Sequence, residues 1–131
     1  MFKKIEPLEN SKHRELRFSK AKGFGFAKNI SAVQLSFSEL RFVSRFYPII
    51  FPADGGCIPQ ALLSLEAGKN LFVDDNGNWK VPYIPVYFRQ YPFALVKIEK
   101  EEDKYALCLD PDAENFSSVQ GEHLFTADGE Y

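Results

Sequence analysis

Hydrophobic positions in this chain fall in short runs broken by proline and glycine, and one run repeats at helical spacing. Phe37, Leu40, Val43 and Phe46 recur every three residues, and Ser36-Phe37-Ser38-Glu39 ahead of them fits a capping box, in which serine and glutamate satisfy each other's backbone amides. The spacing predicts a helix over 37–46. It stops at Tyr47-Pro48, because the residue before a proline is pushed out of the helical region. The remaining runs read as strands. Pro48 to Phe51 and Cys57 to Leu65 flank the turn Ala53-Asp54-Gly55-Gly56 and predict a first hairpin. Asn70-Leu71-Phe72-Val73 and Trp79-Lys80-Val81 flank Asp74-Asp75-Asn76-Gly77 and predict a second, with Asn-Gly suited to the positive φ of a tight turn. Phe93 to Glu99 and Tyr105 to Asp110 predict a third, across the charged loop 100–104. Val86 to Tyr91 predicts a short helix ended by Pro92.

The reading is an α+β fold, mainly antiparallel sheet built from hairpins, with one helix near 37–46 and a short one near 86–91. The length, 131 residues, is that of a single domain. Residues 1–30 read as a basic, extended arm with one or two short strands, and 111–131 as an acidic, weakly patterned tail.

Composition adds two points. Hydrophobic residues make up 45% and charged residues 26%, the balance of a chain that buries a core. With 13 Phe, 6 Tyr and one Trp, aromatic packing must dominate that core. The net charge of −2 hides a gradient of +6 over residues 1–46, zero over 47–98 and −8 over 99–131. Opposite ends of this kind mark interaction tails or simply lie against one another. No apolar run is long enough to span a membrane, and the start lacks the apolar stretch of a secretory signal, so the expected compartment is cytoplasmic. In that setting Cys57 and Cys108, each among apolar residues in expected strands, read as buried free thiols rather than a disulfide.

Most chemical motifs fail on inspection. Lys22-Gly23-Phe24-Gly25-Phe26 opens like an RNA-recognition signature, but Ala27 and Asn29 break it and too little chain precedes it. An edge strand with its Phe residues turned inward fits better, and nucleic acid is a disfavoured partner. Asp74-Asp75-Asn76-Gly77 would put Phe72 at the first position of a calcium loop, where an acid is needed, so it is a turn. His13 and His123 have no ligand-spaced carboxylate or cysteine, and glycine patterns for phosphate or dinucleotide are missing, so no metal or cofactor is expected. No His, Cys or paired carboxylates stand at suggestive spacing, which disfavours an enzyme and names no catalytic residue.

One cluster resists a bland reading. Trp79, Tyr83, Tyr87, Arg89 and Tyr91 lie within thirteen residues stiffened by Pro82, Pro85 and Pro92, and Arg89 is the sole basic residue between Lys80 and Lys97. Such a segment suits a pocket in which a carboxylate or an aromatic ligand meets Arg89. It equally suits an aromatic minicore with Arg89 paired internally or stacked on a ring.

The chain resembles the bacterial SapC family in Tyr47-Pro48-Ile49-Ile50-Phe51, Pro59 with Ala61-Leu62-Leu63, and Asn70-Leu71-Phe72-Val73-Asp74 with Gly77 and Trp79. Tyr83-Ile84-Pro85, Arg89-Gln90-Tyr91-Pro92-Phe93, and Gly121 with Leu124-Phe125 continue the likeness, and His13-Arg14 with Leu16-Arg17 looks like the family's start. The resemblance implies no established catalytic residues. It implies either a surface-layer association or, under a label that some members carry, a permease, which a chain without a membrane span contradicts. Family members usually continue past the segment 124–130, so this is a short member or a piece of a longer chain. The expectation is a non-enzymatic binding or accessory protein contacting a small carboxylate-bearing molecule or a peptide. Surface-layer assembly or self-association through exposed sheet edges is the alternative, followed by an enzyme whose site is formed only by folding.

Overall fold

Eight prolines and eight glycines leave little room for long elements, and the computed structural model accordingly contains short ones. It describes residues 1–20, 23–98 and 103–130. Along the chain these form β1 (Glu6–Pro7), α1 (Asn10–His13), β2 (Arg17–Phe18), β3 (Ala32–Gln34), α2 (Leu40–Val43), β4 (Ile49–Ile50), β5 (Gln60–Leu62), α3 (Val86–Arg89), β6 (Phe93–Lys97), β7 (Tyr105–Leu109), β8 (Phe116–Ser117) and β9 (Glu122–His123). The class is α+β, with small antiparallel sheets and a few short helices. The chain divides into two compact units, the first made of Met1 and residues 22–90, the second of residues 2–21 and 91–131.

In the first unit β5 is the central strand of a three-stranded antiparallel sheet in the order β3-β5-β4. Ala61 faces Val33 on one side and Ile49 on the other. Ala27, Val33, Leu35, Val43, Tyr47, Ala61, Leu63, Val73 and Phe88 form one buried cluster. Phe88 touches Trp79 at 5.0 Å between ring centres, Trp79 meets Phe24 edge-on at 5.5 Å, and Tyr47 meets Phe72 at 4.5 Å. The buried cluster itself is mostly aliphatic, and the aromatic packing expected from composition lies around it, in the partly buried rings of Phe24, Phe26, Phe46, Phe72, Trp79, Tyr83 and Tyr87.

The predicted helix near 37–46 begins as a 3-10 turn over Phe37–Glu39 and becomes α-helical at α2. The capping box forms, with the Glu39 carboxylate accepting the Ser36 amide at 3.2 Å. Its inward face differs from the threefold reading. Glu39 is buried and Phe37 is 66% exposed, because the Glu39 carboxylate also accepts from the Val86 amide at 3.2 Å and so turns toward the interior. The first hairpin forms as β4 and β5. The second is reduced to a single bridge between Val73 and Trp79, around a turn that Asp74 organises by accepting the Asn76 and Asn78 amides. Gly77 takes the positive φ, +83°, that this turn requires. The Phe24–Phe26 segment is not an edge strand. Gly25–Ala27 is a 3-10 turn, although Phe24 and Phe26 do pack against the core. Cys57 is exposed and outside any strand, contrary to the buried thiol expected, because Pro52, Pro59 and two glycines keep its segment out of the ladder.

The second unit holds two sheets, in the orders β1-β7-β6 and β8-β2-β9. The third hairpin is β6 with β7, and residues 99–102 of its loop lie outside the described residues. Cys108 on β7 is buried, and both thiols are free. Residues 2–20 are more than an extended arm. They carry the two short strands anticipated, but β1 adds to β7, β2 is the central strand of its sheet, and α1 between them buries His13. The acidic tail supplies β8 and β9 on either side of β2. Gly121, at φ +112°, lies so close to β2 that an added Cβ would sit 2.5 Å from the Phe18 carbonyl oxygen.

Candidate functional site: an aromatic and arginine cluster

Pro85 caps the start of α3 and lets the next four residues turn, which puts Phe88 inward and Arg89 outward. The candidate residues divide accordingly. Trp79, Tyr83, Tyr87 and Arg89 belong to the first unit. Tyr91 belongs to the second, where its ring meets Phe2 edge-on at 5.2 Å.

Trp79 serves the interior. Its indole N–H donates to the Tyr47 hydroxyl at 2.6 Å, and that hydroxyl donates to the Tyr83 carbonyl at 2.5 Å. Burial pushes the Tyr47 phenol up to about 12, so it stays a donor throughout the physiological range. The half-buried Tyr87 ring stands at 82° to that of Phe88.

Tyr83 and Arg89 face the surface. The exposed Arg89 guanidinium donates through Nε to the Ile84 carbonyl at 2.9 Å and through Nη2 to the Tyr83 hydroxyl at 3.5 Å. It lies 5.5 Å from the Tyr83 ring centre. On its other contact the Tyr83 hydroxyl reaches Glu39 Oε1 at 3.5 Å. Burial, and then the Glu39 charge, raise the Tyr83 phenol, which keeps its proton and links the buried carboxylate to the exposed guanidinium. All four ion pairs among the described residues use lysine or histidine, and none uses arginine. Arg89 is thus oriented by a carbonyl and a ring, with its remaining N–H groups turned to solvent.

Two neighbours escaped the sequence reading. Phe42 on α2 stacks on Tyr83 at 5.7 Å with the rings 8° from parallel, and the Arg41 guanidinium lies 4.5 Å over the Phe42 ring. Their spacing in α2 carries no hint of a partner forty residues on. Glu39 was legible as a cap and not as the carboxylate behind Tyr83.

Among the described residues no group of three His, Cys, Asp or Glu side chains could hold a metal ion, and no helix is long and apolar enough to cross a membrane. Among curated proteins and among solved structures, nothing matches this chain. A family model does match, over residues 8–131, which takes in most of both units and every residue of the cluster. The chain belongs to the SapC family.

Proposed function

We propose that this SapC-family chain is a non-enzymatic binding or accessory protein whose surface around Tyr83 and Arg89 takes a carboxylate from a small molecule or a peptide. The observation that carries this reading is Arg89 itself. An exposed guanidinium held in one orientation without a carboxylate has its ordering cost met before a ligand arrives, and planar N–H pairs suit carboxylates. Trp79 and Tyr87 support the site from within by fixing the segment that carries Tyr83 and α3.

The test is a thermal-shift series with succinate, glutamate and short acidic peptides on the wild type and Arg89→Ala. A ligand at ~100 times its Kd adds about 2.7 kcal/mol, or several degrees for a chain of this size. A shift in the wild type that Arg89→Ala removes supports the reading. Equal shifts in both proteins refute it.

A second reading is self-association through β6. This strand lies at the edge of β1-β7-β6 and exposes Leu95 at 67% and Val96 at 42%. A concentration-dependent dimer in sedimentation that Leu95→Lys abolishes would favour it, and a strict monomer would dismiss it.

A further inference from the structure

The contacts around Tyr83 extend beyond Arg89 through two further side chains. Arg41 lies over Phe42, Phe42 stacks on Tyr83, and Arg89 lies over Tyr83, at 4.5, 5.7 and 5.5 Å. Both terminal arginines are exposed, and neither enters an ion pair among the described residues. We infer that this Arg41-Phe42-Tyr83-Arg89 stack is a docking strip for an acidic peptide segment, with Arg89 taking one carboxylate and Arg41 another. The inference rests on the binding reading above and names its ligand class.

Three features select this occupant. The charge is complementary, since the stack carries two exposed guanidiniums and the acidic side chain in contact with it, Glu39, is buried with the Ser36 and Val86 amides as partners. Phe42 and Tyr83 spend ring faces on each other and on the guanidiniums, which leaves a nucleobase a poor platform and leaves N–H edges for carboxylates. The three steps given set an upper limit on the separation of the two guanidiniums, a reach that about five residues of extended chain cover.

Calorimetric titration with acetylated, amidated six-residue peptides of glycine and serine tests this directly. One peptide carries no glutamate, one carries a single glutamate, and one carries two glutamates four positions apart. The two-glutamate peptide should bind the full chain about two- to fivefold more tightly than the single-glutamate peptide, the range expected for one more exposed charge pair. Arg41→Gln should erase that advantage and leave the single-glutamate affinity unchanged. Arg89→Gln should weaken both peptides. If Arg41→Gln leaves the advantage intact while Arg89→Gln weakens both, the extended strip is wrong and the Arg89 site stands. If Arg89→Gln changes neither, the Arg89 site is wrong. Binding of hexathymidylate more tightly than the two-glutamate peptide would overturn the choice of occupant. Both positions are exposed, and circular dichroism of each variant checks that the fold is kept.

Discussion

Among the described residues, the two units of this chain bury different amounts of apolar side chain, although each buries three polar or charged residues, with Glu39, Ser64 and Asn70 in the first. The first buries nine side chains in one hydrophobic cluster, Phe88 and Tyr47 among them. The second buries Pro92, Cys108, Leu109, Ala113 and Phe125, and alongside them His13, Asp110 and Asn115. Those polar groups are fully engaged. Asp110 accepts the Lys3 amide at 2.6 Å, the Asp112 amide at 3.2 Å and the Lys4 amide at 3.4 Å. His13 accepts the Glu9 amide at Nδ1 and donates from Nε2 to Glu6. Asn115 donates to the Ser19 carbonyl. Four of this unit's six strands are two residues long and few of its apolar side chains are buried, so hydrogen bonds between distant chain segments carry more of its cohesion. The candidate binding surface sits on the apolar unit, where a ring cluster gives an exposed arginine a rigid base.

This contrast predicts a ranking of substitutions. Phe88→Ala, at a fully buried ring, should cost about 3–5 kcal/mol in urea unfolding of the first unit. Asp110→Ala should cost less, about 2–3 kcal/mol, by stranding three backbone amides, and Asp110→Asn should recover part of the loss because an amide oxygen still accepts. The contrast breaks if Asp110→Ala proves the costlier. Tyr47→Phe should cost about 1–2 kcal/mol near neutral pH, since the indole N–H of Trp79 and the Tyr83 carbonyl lose their partner.

The same variant has a pH signature. The Tyr47 phenol lies near 12 when folded and near 10 when exposed, so unfolding releases a proton between those values and stability falls as pH rises from 10 to 12. Tyr47→Phe should flatten that decline. The second unit has the opposite sensitivity and the smallest effect. Hydrogen bonds from Lys4 and then His13 hold the Glu6 carboxyl at about 2, so its contribution is present above about pH 4.5 and is lost as pH falls toward 2. Glu6→Gln should flatten the acid limb of unfolding followed by circular dichroism and leave the alkaline limb alone.

Local signals carried much of this fold. The capping box at Ser36, the Asp74–Gly77 turn, the β6–β7 hairpin and the turn of helix before Pro92 were legible because each depends on a few adjacent residues. What was illegible depends on distant partners. Glu39 turns inward for an amide forty-seven residues away, β2 finds β8 and β9 at the other end of the chain, and Cys57 stays outside the sheet it adjoins in sequence. The aromatic cluster lies between these cases. Its composition marked Trp79 through Tyr91, yet Trp79 turned to the interior, Tyr91 joined the other unit, and Arg41 with Phe42 arrived from α2.

The measurement that tests the central claim most directly is a paired readout on Arg89→Ala, combining its thermal unfolding with a titration by the two-glutamate peptide. An exposed guanidinium over a ring contributes about 0.5–1 kcal/mol, so the account predicts a Tm lowered by no more than about 5 °C together with loss of most of the peptide affinity. A Tm lowered by well over about 5 °C with the peptide affinity unchanged would make Arg89 a structural residue and contradict it.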